Sequence, residues 1–553
     1  MHTETFDYVI IGAGSAGAVL AHRLPADPEC RVLLLAAGPM YSSLWIHMPS
    51  AFDKPMASGR YNWGDATEPE PAMDNRRMDC PRGHVLGGSS SINGMAYVRG
   101  NALDYEGWAD DFGLEQWRYS KVLPYFRRAE DFDQGANDYH GSGGPLHVTT
   151  GAMRNPLYRA FVDAGVAAGY PETDDMNGYQ QEGFGPMFMT TRNGVRWSTA
   201  NAYLRPIMRR PNLTLRTGAL TETLQFDADR VIGVRYRYRR ETREARVDRE
   251  VLLCAGAINS PQILMRSGIG PAAALQDHGI DVQQDLPGVG ENLQDHLEVY
   301  VQYACREPIT LFSALKPWNQ ARIGIQWLTT RGGLGATNHF ESGGFIRSEA
   351  GVPYPNLQYH FMPIALSYDG TVSADCHGFQ AHVGPMRPES RGRVTLSGAD
   401  PEAAPRIVFN YMASERDRRE MRAAVRLTRE VIEQSPMDRF RERPLSPGPE
   451  VQSDAEIDAW VRANGESAYH PSGTCRMGTA GDPQAVVDGD GRVHGVAGLR
   501  VIDASIMPRI ASGNLNAPTI MIAEKLADRL RGRATLDEPQ PWYQAADWQT
   551  RQR

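Results

Sequence analysis

Apolar and polar positions along this chain alternate in short runs. Tyr8-Val9-Ile10-Ile11 is an unbroken apolar run of strand length. Gly12-Ala13-Gly14-Ser15-Ala16-Gly17 ends it, and the alanine-rich segment Ala18 to Leu24 reads as a helix. A second apolar run, Arg31 to Leu35, follows at the spacing of a βαβ unit, which predicts two parallel neighbouring strands. Residues 230 to 253 read as a hairpin: Val231, Val234, Tyr236 and Tyr238 lead to a turn at Arg240-Glu241-Thr242, and the return strand ends Val251-Leu252-Leu253-Cys254. Ser414 to Gln434 reads as a charged amphipathic helix, with Met421, Val425, Leu427 and Val431 on one side. From about 305 to 415 the pattern predicts short strands and loops in a separate β-rich unit. The polar segment from Ala534 onward, with Trp542, Tyr543 and Trp548, reads as a tail that packs on the surface or frays.

Length and composition narrow the class. At 553 residues the chain exceeds what one hydrophobic core organises, so more than one compact unit is expected. Its 58 Lys and Arg against 66 Asp and Glu leave a net charge of −8, which argues against a nucleic-acid coat. The six cysteines form no C-x-x-C pair, so neither a disulfide framework nor a zinc site is expected, and free thiols in a cytoplasmic enzyme are the reading. No signal peptide and no apolar run of membrane-spanning length is evident. Glycine is enriched, with 55 residues, so backbone turns tightly or approaches something closely at many places.

Gly12-x-Gly14-x-x-Gly17 between strand and helix is a dinucleotide fingerprint. Its glycines permit the tight turn, the approach of backbone to a pyrophosphate, and the packing of helix on strand. The helix N-terminus offers N–H groups and a positive dipole end. The usual partner, an acid at the end of the second strand that holds ribose hydroxyls, is missing: Ala36 stands there. The Arg235 to Arg240 run mimics a nucleic-acid patch, but its period of two and nearby acids make it a half-exposed strand pair. His84, His296, His339 and His360 lack metal-type spacing and read as core or loop residues. By spacing alone His470 also reads as structural, ahead of a Pro-Ser-Gly turn.

Further segments carry a family resemblance: Gly87-Gly88-Ser89-Ser90-Ser91-Ile92-Asn93-Gly94, Gly256-Ala257-Ile258-Asn259-Ser260-Pro261, Gly290-Glu291-Asn292-Leu293-Gln294-Asp295-His296, Tyr469-His470-Pro471-Ser472-Gly473-Thr474 and Val501-Ile502-Asp503-Ala504-Ser505. With them the chain resembles the glucose-methanol-choline (GMC) flavoprotein oxidoreductases from about Phe6 to Leu530. The resemblance implies an α/β fold: a discontinuous Rossmann-like FAD-binding domain (1–155, 195–305 and 465–533) and an α+β substrate domain (156–194 and 306–464) with an antiparallel sheet, followed by the tail 534–553.

It also implies FAD held at Gly12, Gly14, Ser15, Ala16, Ala36, Gly87, Ser91, Asn93, Gly94, Ala96, Leu220, Asp503, Ala504, Asn514, Asn516 and Thr519. Some members bond a loop histidine to the flavin, and Ile92 matches that position here, so a non-covalent flavin is expected. His470 matches the family's catalytic histidine and Asn514 its second catalytic residue. The expected reaction is oxidation of an alcohol to the aldehyde or ketone, with oxygen or another electron acceptor taking the electrons. Met95, Phe361 and Tyr469 suggest an apolar, aromatic pocket that favours an aryl or alkyl alcohol. Glu341 matches a position that faces a cation in choline-oxidising relatives. Choline or polyol oxidation, hydroxynitrile cleavage beside an idle flavin, and a degenerate protein without cofactor are the alternatives.

Overall fold

The computed structural model describes residues 4–366 and 375–553. Its first sheet grows from the two N-terminal apolar runs. Glu4–Ile11 and Val32–Ala36 pair in parallel, with Ile10 opposite Leu34, and Leu213–Thr217 extends that edge. On the other side Glu4–Ile11 pairs in parallel with Glu241–Leu253, placing Ile10 opposite Leu252, and Leu499–Val501 lies beyond it. These runs are continuously apolar because both faces of the parallel sheet are covered. The expected hairpin is present: Arg230–Tyr238 pairs antiparallel with the first half of Glu241–Leu253, and Ala219–Asp227 completes the meander.

The second large sheet is antiparallel. Its order is Arg441–Ser446, Leu297–Cys305, Gly378–Pro385, Leu357–Met362, Ser342–Ile346 and Gly183–Pro186. Two helices, Pro156–Ala167 and Glu415–Ile432, bury Phe161, Met421 and Val425 in the core it shares with Phe361 and Phe379. Phe161 stacks on Phe361 at 4.5 Å between ring centres. The second is the helix that the amphipathic pattern predicts, and Ser414 caps it through Asp417 N–H.

Two expectations are corrected. Leu297–Cys305, assigned by the sequence to the FAD-binding segments, is an inner strand of the antiparallel sheet, paired on both sides. Glu466–Ser467 also pairs with it, so that sheet reaches into both segments expected to belong to the FAD-binding domain. In the stretch expected to hold mainly short strands and loops, Pro317–Thr330 is a 14-residue helix. It carries two apolar stripes rather than one: Ile323 and Trp327 face the protein, while Trp318, Ile325 and Leu328 are exposed. A helix apolar on opposite sides gives no amphipathic period. The C-terminal tail packs on the surface: Gly351 N–H donates to Trp548 O (2.7 Å), and Arg553 pairs with Glu430 (2.7 Å).

The first helix, Ser15–Arg23, lies against the last, Asn516–Leu530. Ser15 Oγ donates to Asn516 Oδ1 (2.7 Å). Fully buried Glu524 takes Arg23 Nε (2.9 Å) and Nη2 (2.8 Å), Arg128 Nε (3.0 Å) and the Tyr203 hydroxyl (3.0 Å). Removing one member of such a buried cluster leaves the others uncompensated. Glu524→Ala is therefore expected to cost about 3–5 kcal/mol, read as a lowered urea midpoint; a midpoint like that of the parent protein would contradict this role.

Candidate active site

One cavity runs from the carboxyl ends of the parallel strands to the antiparallel sheet, and the loop Gly12 to Ala16 opens onto it. Gly12 sits at φ +101°, a conformation that favours glycine, and a Cβ there would strike the Cys254 backbone. Gly87 N–H donates to Ala13 O (2.8 Å), and a Cβ on Gly88 would lie 2.7 Å from Gly14 Cα. The two glycine loops are thus in direct contact. The first helix, capped by Gly14, and the last, capped by Leu515, have no side-chain cap, so their first N–H groups remain available to an anion.

Gly12, Gly14, Ser15 and Ala16 line the cavity, as do Ala36 and Leu220, and Asn93, Gly94 and Ala96 line its middle. Asp503, Ala504, Asn514, Asn516 and Thr519 close it from the C-terminal side. Asp503 is already bonded within the protein, taking Gly256 N–H (2.8 Å), Ser260 Oγ (2.6 Å) and Ser505 N–H (2.8 Å), so it ties the start of the Gly256–Arg266 helix to its own turn. Gly87 and Ser91 lie just behind the wall, where Ser91 Oγ donates to Leu86 O (2.8 Å) and shapes the loop. Near Ala36, where the expected acid is missing, the wall is polar through Thr221, Gln262 and Arg266. Thr221 Oγ1 is buried without a hydrogen-bond partner. A glycine cradle, two uncapped helix starts and an unsatisfied buried hydroxyl fit a dinucleotide.

At the other end stands His470. The preceding Tyr469 has φ +62°, a left-handed conformation that costs a bulky residue about 1–3 kcal/mol. It is held from both sides: Arg82 Nη2 donates to Tyr469 O (2.8 Å), and His470 N–H donates to Asp295 Oδ1 (2.6 Å). Asp295 Oδ2 takes the Tyr411 hydroxyl (2.5 Å) and Ser467 Oγ. The His470 and His296 Nδ1 atoms are 3.0 Å apart, and His296 Nε2 lies 3.0 Å from the Met386 carbonyl oxygen.

This chain of contacts fixes the proton positions. A carbonyl only accepts, so His296 carries its proton on Nε2. Burial lowers His296 to about 4, which leaves it neutral near pH 7 with an accepting Nδ1. His470 must then donate from Nδ1. Burial, followed by the nearness of His296, His360 and Arg82, holds His470 well below its ordinary 6.5, so its Nε2 stays unprotonated. Asn514 Nδ2 donates to that nitrogen (3.1 Å), while Asn514 Oδ1 faces His360 Nε2 and Gln358 Nε2, each at 3.3 Å. His296 and His360, read from the sequence as core or loop residues, belong to this network.

The wall beside His470 contains Glu298, which the sequence reading missed. It is a buried acid within the apolar strand Leu297–Cys305, two residues beyond His296 and therefore on the same strand face. His382 Nδ1 lies 3.1 Å from Glu298 Oε1. Leu366 N–H donates to Gln380 Oε1 (2.8 Å), which turns Gln380 Nε2 toward His382 Nε2 (2.6 Å) and leaves His382 Nδ1 to donate to Glu298. Phe340 lies 5.6 Å from both the His360 and His382 rings, and Trp63, Tyr469 and Met95 complete the wall.

Two pocket candidates are corrected. Glu341 takes Thr337 Oγ1 (2.6 Å) and lies outside the cavity wall. Phe361 points into the core of the antiparallel sheet against Phe161. Glu341 was judged by its position in a motif and Phe361 by its aromatic side chain, whereas a strand alternates its faces and sends Phe361 away from His360. Among the described residues there is no His, Cys, Asp or Glu group able to hold a metal, and no helix long and apolar enough to cross a membrane.

Residues 6–298 and 388–523 match the N- and C-terminal sequence profiles of the GMC oxidoreductases. The chain belongs to that family. It is 58% identical over 98% of its length, and 98% of the relative's, to an oxygen-dependent choline dehydrogenase 1 of Chromohalobacter salexigens. With an oxygen-dependent choline dehydrogenase of Paraburkholderia phymatum it shares 60% identity, over 99% of this chain and 96% of the other. Its fold superposes on pyridoxine 4-oxidase from Mesorbium loti with a TM-score of 0.87 and 34% identity, covering 96% and 100% of the two chains. A variant formate oxidase of Aspergillus oryzae gives 0.89 and 26%, covering 96% and 99%.

As a GMC oxidoreductase the protein is an FAD-dependent enzyme acting on CH–OH donors. Ile92 lines the cavity and packs with Ile46, Tyr61 and Val85, offering no nucleophile to the flavin. Acid precipitation of the holoenzyme is expected to leave a colourless pellet and a yellow supernatant; a pellet that stays yellow would mean a covalent bond.

Proposed function

We propose that this GMC enzyme oxidises choline to its aldehyde, with His470 as general base. The observation that carries the reading is Glu298: a buried carboxyl group on the same strand face as His296, whose ring touches His470, in a wall shared with Trp63, Phe340 and Tyr469. A carboxylate among aromatic faces suits a quaternary ammonium, which has no N–H to donate and is attracted by charge and by ring electrons. The aryl or alkyl alcohol favoured by the sequence gives no role to this acid. The similarity to choline dehydrogenases favours the same choice.

The chemistry divides between cation and hydroxyl. Glu298, steadied by His382, anchors the ammonium end. The hydroxyl lies toward His470 Nε2 and Asn514 Nδ2, which are already 3.1 Å apart. His470 Nε2 takes the hydroxyl proton, and Asn514 hydrogen-bonds the oxygen left behind. The imidazolium so formed donates from Nδ1 to neutral His296, which holds the ring in place. FAD, when bound, supplies the acceptor for the hydride that leaves the carbon bearing that oxygen. Phe340 and the buried strand behind it limit the water reaching this end.

Glu298→Gln keeps the shape and removes the charge. Choline KM is expected to rise about 10- to 150-fold. An isostere with a tert-butyl group in place of trimethylammonium should change by less than about threefold. Equal losses for both alcohols would remove Glu298 as the cation anchor.

A further inference from the structure

Arg196 carries a charge for which the protein supplies no counter-ion. Its side chain is fully buried at the end of the short strand Val195–Arg196, and among the described residues no carboxylate reaches it. Arg99 and Arg347, also buried, differ in this respect: the first meets Glu130 (2.6 Å) and the second Glu182 (2.8 Å). Burial alone lowers Arg196 to about 9, so it stays charged near pH 7. A buried cation left without a partner is costly, and its place in the fold shows what it faces.

Its bonds run to carbonyl oxygens instead. Nε donates to Ile46 O (2.8 Å), while Nη1 donates to Ser90 O (3.3 Å), Asn93 O (2.6 Å) and Asn93 Oδ1 (2.9 Å). Nη2 is buried without a partner. Ser90 and Asn93 line the cavity, so the guanidinium stands directly behind that part of its wall. The same bonds settle which way the Asn93 amide faces. Arg196 Nη1 and Met95 N–H (3.1 Å) both donate, so the atom that meets them is the amide oxygen. The amide nitrogen is turned the other way, and Nδ2, which has no partner among the described residues, is open to the cavity that Asn93 lines.

We infer that Arg196 is a positioning residue for the redox step: it locks Asn93 with an amide N–H toward the cofactor cavity, and its unpaired charge stabilises the negative charge that the flavin gains on reduction. Oxidation of a CH–OH donor sends the hydroxyl proton to a base and a hydride, two electrons with one proton, to a neutral ring. The reduced ring therefore holds one negative charge that the oxidised ring lacks. A cation shielded neither by water nor by a carboxylate acts strongly on such a charge. The Asn93 amide, polarised by Arg196 at its oxygen, offers the cavity a strengthened donor. The inference rests on the FAD chemistry of the family and is independent of choline as substrate.

The test is the two-electron reduction potential of FAD in the full-length holoenzyme, read against a reference dye during slow reduction by xanthine and xanthine oxidase, with no alcohol present. Arg196→Met is expected to lower the ratio of reduced to oxidised flavin about 10- to 100-fold at a given potential, a shift of about 30–60 mV to more negative values. Arg196→Lys keeps the charge and should stay within about threefold of the parent, or about 15 mV. A residue that only braces the loop would leave the Met variant at the parent potential or the Lys variant as low as the Met one, and either result would overturn the inference. Asn93→Asp keeps the shape and both accepted bonds, gives Arg196 a carboxylate and removes the amide N–H; its ratio should fall at least about 10-fold, or about 30 mV. That variant decides the matter if Arg196→Met does not retain flavin: a potential equal to the parent's would overturn the inference.

Discussion

The contact between the first helix and the last is the constraint on which the site depends. Ser15 and Asn516 meet 501 residues apart, and Glu524 ties Arg23 and Arg128 to the same seam. This contact places two uncapped helix starts at one cavity, where the first N–H groups of each are open to an anion. It also sets Asn514, two residues before the last helix, against His470. The proposed cofactor cradle and catalytic pair are therefore positioned by a single packing event. The intervening chain is free to build the substrate wall.

The second constraint is protonic. A buried histidine is a base only if one nitrogen keeps its lone pair and the other has a fixed partner. Here the partner is His296, itself oriented by the Met386 carbonyl, so the proton position on His470 is dictated by a backbone group two contacts away. The strained Tyr469 backbone aims the ring, with Arg82 and Asp295 holding it on either side. Strain of this kind persists where surrounding bonds outweigh it.

Local signals in the sequence were enough for the glycine turn, the hairpin at 230–253 and the helix capped by Ser414, because each is written in adjacent residues. Family motifs extended that to His470 and Asn514, which the structure brings into hydrogen-bond contact. What the sequence hid is non-local. Glu298 follows the motif that ends at His296, and a lone acid in a mostly apolar strand was the available signal. Thr221, whose unpaired hydroxyl lies in the same wall as Ala36, comes from the strand Ala219–Asp227, far from Ala36 in the sequence. The Pro317–Thr330 helix was obscured by its second apolar stripe.

The account joins one base, one cation anchor and one cofactor cradle into an alcohol-oxidising site. Anaerobic stopped-flow mixing of the holoenzyme with choline, followed at the flavin band near ~450 nm, tests that union most directly. Parent protein should bleach with choline, and His470→Ala, with its flavin retained, should bleach about 10²- to 10⁴-fold more slowly. Bleaching by the variant at close to the parent rate, or a parent flavin that choline leaves oxidised, would contradict it.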